Sequence, residues 1–441
     1  MMDRAQRKEL ASWAVGYARK VGADAAAATI ERAREIEVAV RARKIEKLTE
    51  ATRSSLSLNL YVKGKFSGHT TSNLNRPALE KFIAEAVAMT GYLSEDPFRM
   101  LPEEKYFREI NPADLQLLDT AYAGIETARR VKIAREIEEA ALPMSEQIIS
   151  VTASYSDAHT ERTDVYSNGF MGERESTAFS TGADVTVKDG EKGRPEDWMY
   201  TTVRLLNDAP ATAEIGKQAV RRALRKIGQK KIQSGVYDVV VENRSAARLL
   251  SGLYGPMTAR ALQQKRSFLE GKLGTKIASE ALTVTDDPFV PKGLGSRRFD
   301  SEGLAAQKRV VIEKGVLKHY YVDNYYGRKL GMELTSGSPS NIVLAGGTRS
   351  AEEMIRDLKR GILITSFIGG NSNSTTGDYS FGIVGQQVEN GQIVGAVNEM
   401  NLSGNLGTLW NQLVEVGSDP WIYSSWRLPS LRFAGLELSG A

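Results

Sequence analysis

Apolar residues recur at helical spacing at Leu10, Trp13, Tyr17 and Ala18, which predicts an opening amphipathic helix that Gly22 stops. The period then changes to two. Ile36, Val38, Val40 and Ala42 alternate with polar residues, as do Leu56, Leu58, Leu60 and Val62. Two half-buried strands are expected there, and a third over Lys65–Thr71 after a Lys63-Gly64 turn. Leu79, Phe82, Ile83 and Ala86 return to helical spacing, with Asn75 or Pro77 near the start. The stretch Ser94–Asn111, with Pro97 and Pro102, reads as a loop. Val131, Ala134, Ile137 and Ala141 mark a third helix that ends at Pro143. Alternation resumes at Ile149, Val151, Ala153 and Tyr155, continues to about Leu205 with a turn at Asn168-Gly169, and gives way to a helix over Glu214–Lys226. The expected class is α+β, with an antiparallel sheet and helices on one face of it.

A polar, basic stretch from Ile227 to Gly235 separates this half from the next. The length of 441 residues calls for more than one core, and we divide the chain into an N-terminal α+β domain over 1–228 and a strand-rich C-terminal domain over 236–441. In the second, Val236–Val241 is a strand and Ser245–Gln264 an Ala- and Leu-rich helix. Arg309–Ile312 and Val316–Tyr321 flank a Lys314-Gly315 turn, and Phe381–Val388 and Ile393–Val397 flank Asn390-Gly391, a strong hairpin signal. A short helix is expected near Leu406–Val416.

Composition narrows the chemistry. With no cysteine, disulfides, thiolate nucleophiles and Cys-ligated metal are excluded. The three histidines, His69, His159 and His319, lie far apart and in no metal-binding spacing. No metal or other cofactor and no catalytic residue is therefore assigned. The net charge of +4 is low for a nucleic-acid binder, and the basic run Arg221, Arg222, Arg225, Lys226, Lys230 and Lys231 reads as a solvated helix face. No run approaches the roughly 20 apolar residues of a membrane span, and MMDRAQRKEL lacks the apolar core of a secretion signal. A cytoplasmic protein with neither membrane nor nucleic-acid partners is expected. The adjacent carboxylates Asp286-Asp287 and Glu138-Glu139 are expected in loops and solvent, since neighbouring side chains point apart.

The most unusual window is Thr365–Gly385, in which Gly369, Gly370, Asn371, Ser372, Asn373, Ser374, Thr375, Thr376, Gly377 and Asp378 lie between apolar strands. Small polar residues with several glycines leave backbone N–H groups accessible, as needed to hold an extended peptide or an anion. On composition alone, a surface connection is the simpler account. Gly404 and Asn405 precede a helix and suit a cap.

Taken in order, these windows resemble the TldD/PmbA family, once called modulators of DNA gyrase. Gly370 to Tyr379 resembles its G-x-x-x-x-x-T-G-D-[YF] element, Gly404-Asn405-Leu406 its G-N element, and Val416-Gly417-Ser418-Asp419 its V-G-[NS]-D element. Ala278 to Pro288 resembles its [AV]-S-E-x-[LI]-T strand, and Asp300-Ser301-Glu302-Gly303 its D-x-E-G element. Gly22-Ala23-Asp24 and Asp96-Pro97 fall where the family has G-A and D-P, so the likeness covers nearly the whole chain. One branch, TldD, is a metalloprotease with HExxxH on the first helix of its C-terminal domain and a later cysteine as third zinc ligand. Alignment on the helix Arg248–Ala261 puts Leu250, Ser251 and Gly255 at the His, Glu and His positions, and Ile383 at the cysteine. The resemblance therefore implies the other branch, PmbA/TldE. That branch implies a pseudo-protease without catalysis of its own, pairing as a heterodimer with a TldD-type metalloprotease, or with itself as a homodimer, to process small peptides or unfolded proteins. Gly369, Gly370, Asn371, Asn373 and Thr376 are the candidate peptide-binding residues, and Gly377, Asp378, Gly404 and Asn405 the structural ones. An autonomous hydrolase with an unrecognised site and a regulator of DNA gyrase are the alternatives.

Overall fold

The computed structural model describes residues 2–441. The first helix, α1 (Arg4–Lys20), starts at a reciprocal cap in which Gln6 N–H donates to the Asp3 carboxylate and Asp3 N–H to the Gln6 side chain, each at 2.9 Å. Gly22, at φ +115°, turns the chain out of it. Strands β1 (Ala25–Arg41), β2 (Lys44–Val62) and β3 (Lys65–Thr71) precede α2 (Arg76–Thr90). After a loop and α3 (Thr127–Ala141), β4 (Ile148–Tyr166), β5 (Met171–Val187) and β6 (Glu196–Val203) lead into α4 (Thr212–Leu224). The six strands form one antiparallel sheet in the order β3-β2-β1-β4-β5-β6.

Side-chain alternation decides where the helices go. The even positions of β1, Ala26, Ala28, Ile30, Ile36, Val38 and Val40, are buried and face one side. At one end they meet Leu10 and Ala14 of α1 and Leu79 and Ile83 of α2. At the other end they meet Ile133 and Ile137 of α3 and Ile215 and Ala219 of α4. Helices on one face of an antiparallel sheet are thus what the sequence pattern called for. Ala42, which continues the alternation in sequence, instead forms the β1–β2 turn with Arg43, at φ +51° and +62°. A side chain from another element supports this turn: Arg43 N–H donates to the Glu138 carboxylate at 3.1 and 3.2 Å. Glu138 is accordingly buried on α3 and not a solvent residue, whereas Glu139 is exposed.

The second half opens with β7 (Gly235–Val241) and α5 (Asn243–Tyr254). The expected single helix to Gln264 is broken at Gly255-Pro256-Met257, and a separate turn over Ala259–Gln263 restarts with a Thr258 cap. Short strands β8 (Val284–Asp286), β9 (Arg309–Glu313), β10 (Val316–Leu317) and β11 (Ile342–Leu344) follow. Next come β12 (Arg360–Ser372), β13 (Asp378–Glu389), β14 (Gln392–Asn405), β15 (Leu413–Val416), β16 (Trp426–Arg427) and β17 (Leu431–Ser439). The main sheet runs β14-β13-β12-β7-β17-β15, and Asn401 and Leu402 of β14 pair back onto Ser439 and Leu438 of β17, so it curls towards closure. The smaller sheet runs β10-β9-β8-β11-β16. The strand expected to Tyr321 stops at Leu317, and the helix expected over Leu406–Val416 ends at Leu409, with its last four residues forming β15. Asp286 is on β8, buried, and accepts Ser340 N–H at 2.9 Å; it is not a loop residue.

The large C-terminal core begins at Ile232 and ends at Leu438; we propose to treat 1–228 and 236–441 as two units on that basis. Polar contacts join them at several places, two of which involve residues singled out in the sequence. Arg222, expected on a solvated face, is 8% exposed and reaches Asp197 at 3.3 Å and Glu242 at 2.8 Å. The Asp300-Ser301-Glu302-Gly303 element is the other: Arg174 Nη2 donates to the Asp300 carbonyl at 2.8 Å and Tyr166 hydroxyl to the Ser301 carbonyl at 3.2 Å.

Candidate functional site

The glycine-rich window is a hairpin and not the ten-residue loop expected from composition. β12 continues through Ser372, and Asn371 and Ser372 pair with Ser380 and Tyr379 of β13. Only Asn373 to Gly377 turn. The register slips between Ile368 and Asn371, where Gly369 and Gly370 sit at φ +65° and +82° and form a bulge. A Cβ on Gly370 would lie 2.0 Å from the Ser380 carbonyl oxygen, so this site admits only glycine.

The turn is closed by Asn373 N–H donating to the Asp378 carbonyl at 2.7 Å and Gly377 N–H to the Asn373 carbonyl at 2.8 Å. The Asn373 side chain accepts Thr375 N–H at 2.9 Å, and the Thr376 hydroxyl donates to the Asp378 carboxylate at 2.7 Å. Asn405 fastens the tip to the next element. Its amide donates to the Thr376 carbonyl at 2.8 Å and to Asp378 at 3.0 Å, while its oxygen caps Gly407 N–H at 2.9 Å. The Thr376 hydroxyl, and then the Asn405 amide, hold the Asp378 carboxyl below its ordinary value.

The structure therefore brings all nine expected residues into one hairpin and its anchor, but divides the peptide-binding set. Asn373 and Thr376 are occupied within the turn. Asn371 is exposed and makes no side-chain hydrogen bond among the described residues. Past Ile364, β12 has a strand neighbour on one side only, because its pairing with β7 ends there. Helix α5 lies against this half-open strand. Arg248, absent from the expected set, donates to the Gly370 carbonyl at 2.7 Å and lies 4.9 Å over the Phe381 ring. Phe268 N–H donates to the Ser374 carbonyl at 3.0 Å. An arginine on a helix of small and apolar residues is the signal that could have drawn attention to Arg248.

The zinc site of the metalloprotease branch does not fit these residues. Leu250, 3% exposed, and Ile383, fully buried, are both part of the C-terminal core, Gly255 has no side chain, and the exposed Ser251 donates its hydroxyl to the Arg248 carbonyl at 2.9 Å. None supplies the imidazole or thiolate that zinc requires, nor the carboxylate that would activate a water. The histidines are on β3, on β4 beside Glu175 at 2.8 Å, and after β10. No group of His, Asp and Glu able to hold a metal occurs among the described residues.

Asn371→Ala is expected to weaken peptide handling several-fold, since one neutral hydrogen bond contributes about 0.5–1.5 kcal/mol, and to leave the melting temperature in place. Asn373→Ala and Asp378→Ala are expected to lower the melting temperature instead. Parallel thermal melts and peptide-processing rates of the three variants check this; equal loss of stability in all three would leave the hairpin purely structural.

Residues 122–227 match the PmbA/TldA metallopeptidase central domain and 234–440 the PmbA/TldA metallopeptidase C-terminal domain. The metalloprotease PmbA of Escherichia coli is 28% identical over 421 residues, covering 95% of this chain and 92% of its own. A Bacteroides thetaiotaomicron protein described as a modulator of DNA gyrase is 41% identical, with a TM-score of 0.97 over 100% of both chains. TldE from Thermococcus kodakarensis, at 22% identity, shares the fold with a TM-score of 0.88 over 98% of this chain and 100% of its own. No helix of the described residues is long and apolar enough to cross a membrane. With two of its domains matched in order and a 41% identical relative superposing end to end, the chain belongs to the PmbA/TldD family.

Proposed function

We propose that this protein is the non-catalytic subunit of a family metallopeptidase, acting by binding an extended peptide beside a zinc-bearing partner of the TldD type. One observation carries the reading: the positions that would hold zinc and its activating carboxylate are Leu250, Ser251, Gly255 and Ile383, two of them sealed in the core. The hairpin lies beside them, and β12 past Ile364, with a strand neighbour on one side only, can take an extended peptide by main-chain hydrogen bonding between the Thr365 and Gly370 carbonyls that side chains already hold. The relatives are named metalloproteases, a name that suits a subunit of a protease as well as its catalytic chain. Open sheet edges favour burial against another chain, so the protein is a dimer, with itself when alone and with the protease when that is present. A nucleic-acid role has the charge of +4 against it.

Reconstitution tests this. Mixing the chain with a TldD-type protease carrying HExxxH is expected to give a heterodimer by light scattering and to raise cleavage of an unstructured peptide above that of the protease alone. Failure to form a complex at micromolar concentration, or unchanged cleavage, would count against it.

A further inference from the structure

We propose that a cavity between the two halves of the chain binds an organic anion: a free carboxylate carried on an apolar residue, as at the C-terminus of a short peptide. The inference rests on this cavity and not on the pseudo-protease reading, for none of its lining residues belongs to the hairpin. The cavity measures about 550 Å³, within the range of small-molecule sites. It opens beside the part of β5 that β6 leaves unpaired, since β6 meets only Phe179 to Thr186.

Its chemistry is an excess of arginine over carboxylate, six against three in its lining. Arg162 and Arg174 stand directly opposite each other on β4 and β5, an arrangement of like charges that destabilises a sheet unless an anion intervenes. Asp164 pairs with Arg162 at 2.8 Å and more loosely with Arg174 at 3.9 Å, Glu31 lies 3.7 Å from Arg162, and Arg174 Nη2 turns to a backbone carbonyl. From the other half, Arg297 meets only the hydroxyls of Ser336 and Ser338 and the Ser338 carbonyl, and Arg298 donates to the Ala113 carbonyl at 3.0 Å. Neither has a carboxylate within ion-pair distance among the described residues. Arg297 and Arg298 thus line the cavity with no carboxylate of their own, and Arg174 shares Asp164 with Arg162.

The carboxylates of the lining do not make up the deficit. Glu173 is paired with Arg4, Glu175 with His159, and Asp114 accepts Gln116 N–H at 2.9 Å. Nε of Arg174 and of Arg297 is buried without an acceptor. Burial, and after it Arg162 and Arg297, push the Arg174 guanidinium below its ordinary value against the opposing pull of Asp164. Guanidinium forks match planar carboxylates in a two-point contact. Leu115, Leu117 and Phe299 supply an apolar wall, which favours an anion with a hydrophobic body over a bare inorganic ion.

The test is calorimetric titration of the full chain with N-acetyl-leucyl-leucine, with its C-terminal amide, and with inorganic phosphate. The acid is expected to bind at least about 10-fold more tightly than the amide or phosphate. Arg174→Gln should weaken the acid by about 10-fold and the exposed Arg298→Gln by about 3-fold. Because Arg298 is at the surface, its variant remains informative even where Arg174→Gln does not fold. Equal affinity for acid and amide, tighter binding of phosphate, no heat with the acid at about 10 mM, or wild-type affinity in Arg298→Gln would each overturn the proposal.

Discussion

Asp157→Ala is expected to cost about 3–5 kcal/mol of stability, the usual result of removing one partner of a buried ion pair. Asp157 lies on β4 under α3, with its side chain fully buried and that of Arg130 1% exposed. Its carboxylate accepts Arg130 Nε–H at 2.6 Å, the Tyr122 hydroxyl at 2.8 Å and the Tyr155 hydroxyl at 2.7 Å. Alanine would strand all three donors at once, and Arg130 would keep only the Ile125 carbonyl. Asp157→Asn should cost less, because its amide oxygen can still accept from part of this set. Denaturant unfolding of both variants checks the order; a loss below about 1 kcal/mol in Asp157→Ala would show that the network does not depend on its charge.

The second large effect concerns pH. Glu302 sits where the halves meet, its carboxylate accepting Asn324 N–H at 2.9 Å. Burial first, and Asp300 and Asp323 after it, push its carboxyl up to about 7 from 4.5. As pH rises from about 4.5 to about 7, the unfolded chain releases a proton that the folded chain keeps, so this group makes folding less favourable over that window. At 1.36 kcal/mol per pH unit, the whole effect is roughly 3 kcal/mol. Glu302→Gln should therefore match the wild type near pH 4.5 and exceed it by roughly that amount at pH 8. Calorimetric melts of both proteins across this range decide it; a difference that does not change with pH would mean that Glu302 titrates alike in the folded and unfolded chain.

Much of the fold was legible because its signals are local. β3 was bounded by the Lys63-Gly64 turn, and the Asn390-Gly391 hairpin by turn chemistry that only a few dipeptides supply. The break of the expected helix Ser245–Gln264 at Gly255-Pro256 had a local signal, but other misses share a cause, a distant residue that overrules the local pattern. Ala42-Arg43 turns without glycine or asparagine because Glu138, far along the chain, accepts the Arg43 N–H. Arg222 looked solvated until Asp197 and Glu242 were brought to it. In the window 369–378, composition announced glycine-dependent backbone but could not say that Gly369 and Gly370 form a bulge within a strand. Nor could it tell the committed side chains of Asn373 and Thr376 from the free one of Asn371. The arginine-lined cavity was invisible for the same reason, since its walls come from both halves of the chain.

The proposed function requires that the chain have no hydrolytic chemistry of its own. The most direct measurement is zinc content and peptide cleavage followed together across a chromatographic peak of the purified chain without a partner. The expected result is no stoichiometric zinc and no cleavage of an unstructured peptide. Chelator-sensitive cleavage that co-elutes with this chain alone would contradict it and put a metal site away from Leu250, Ser251, Gly255 and Ile383.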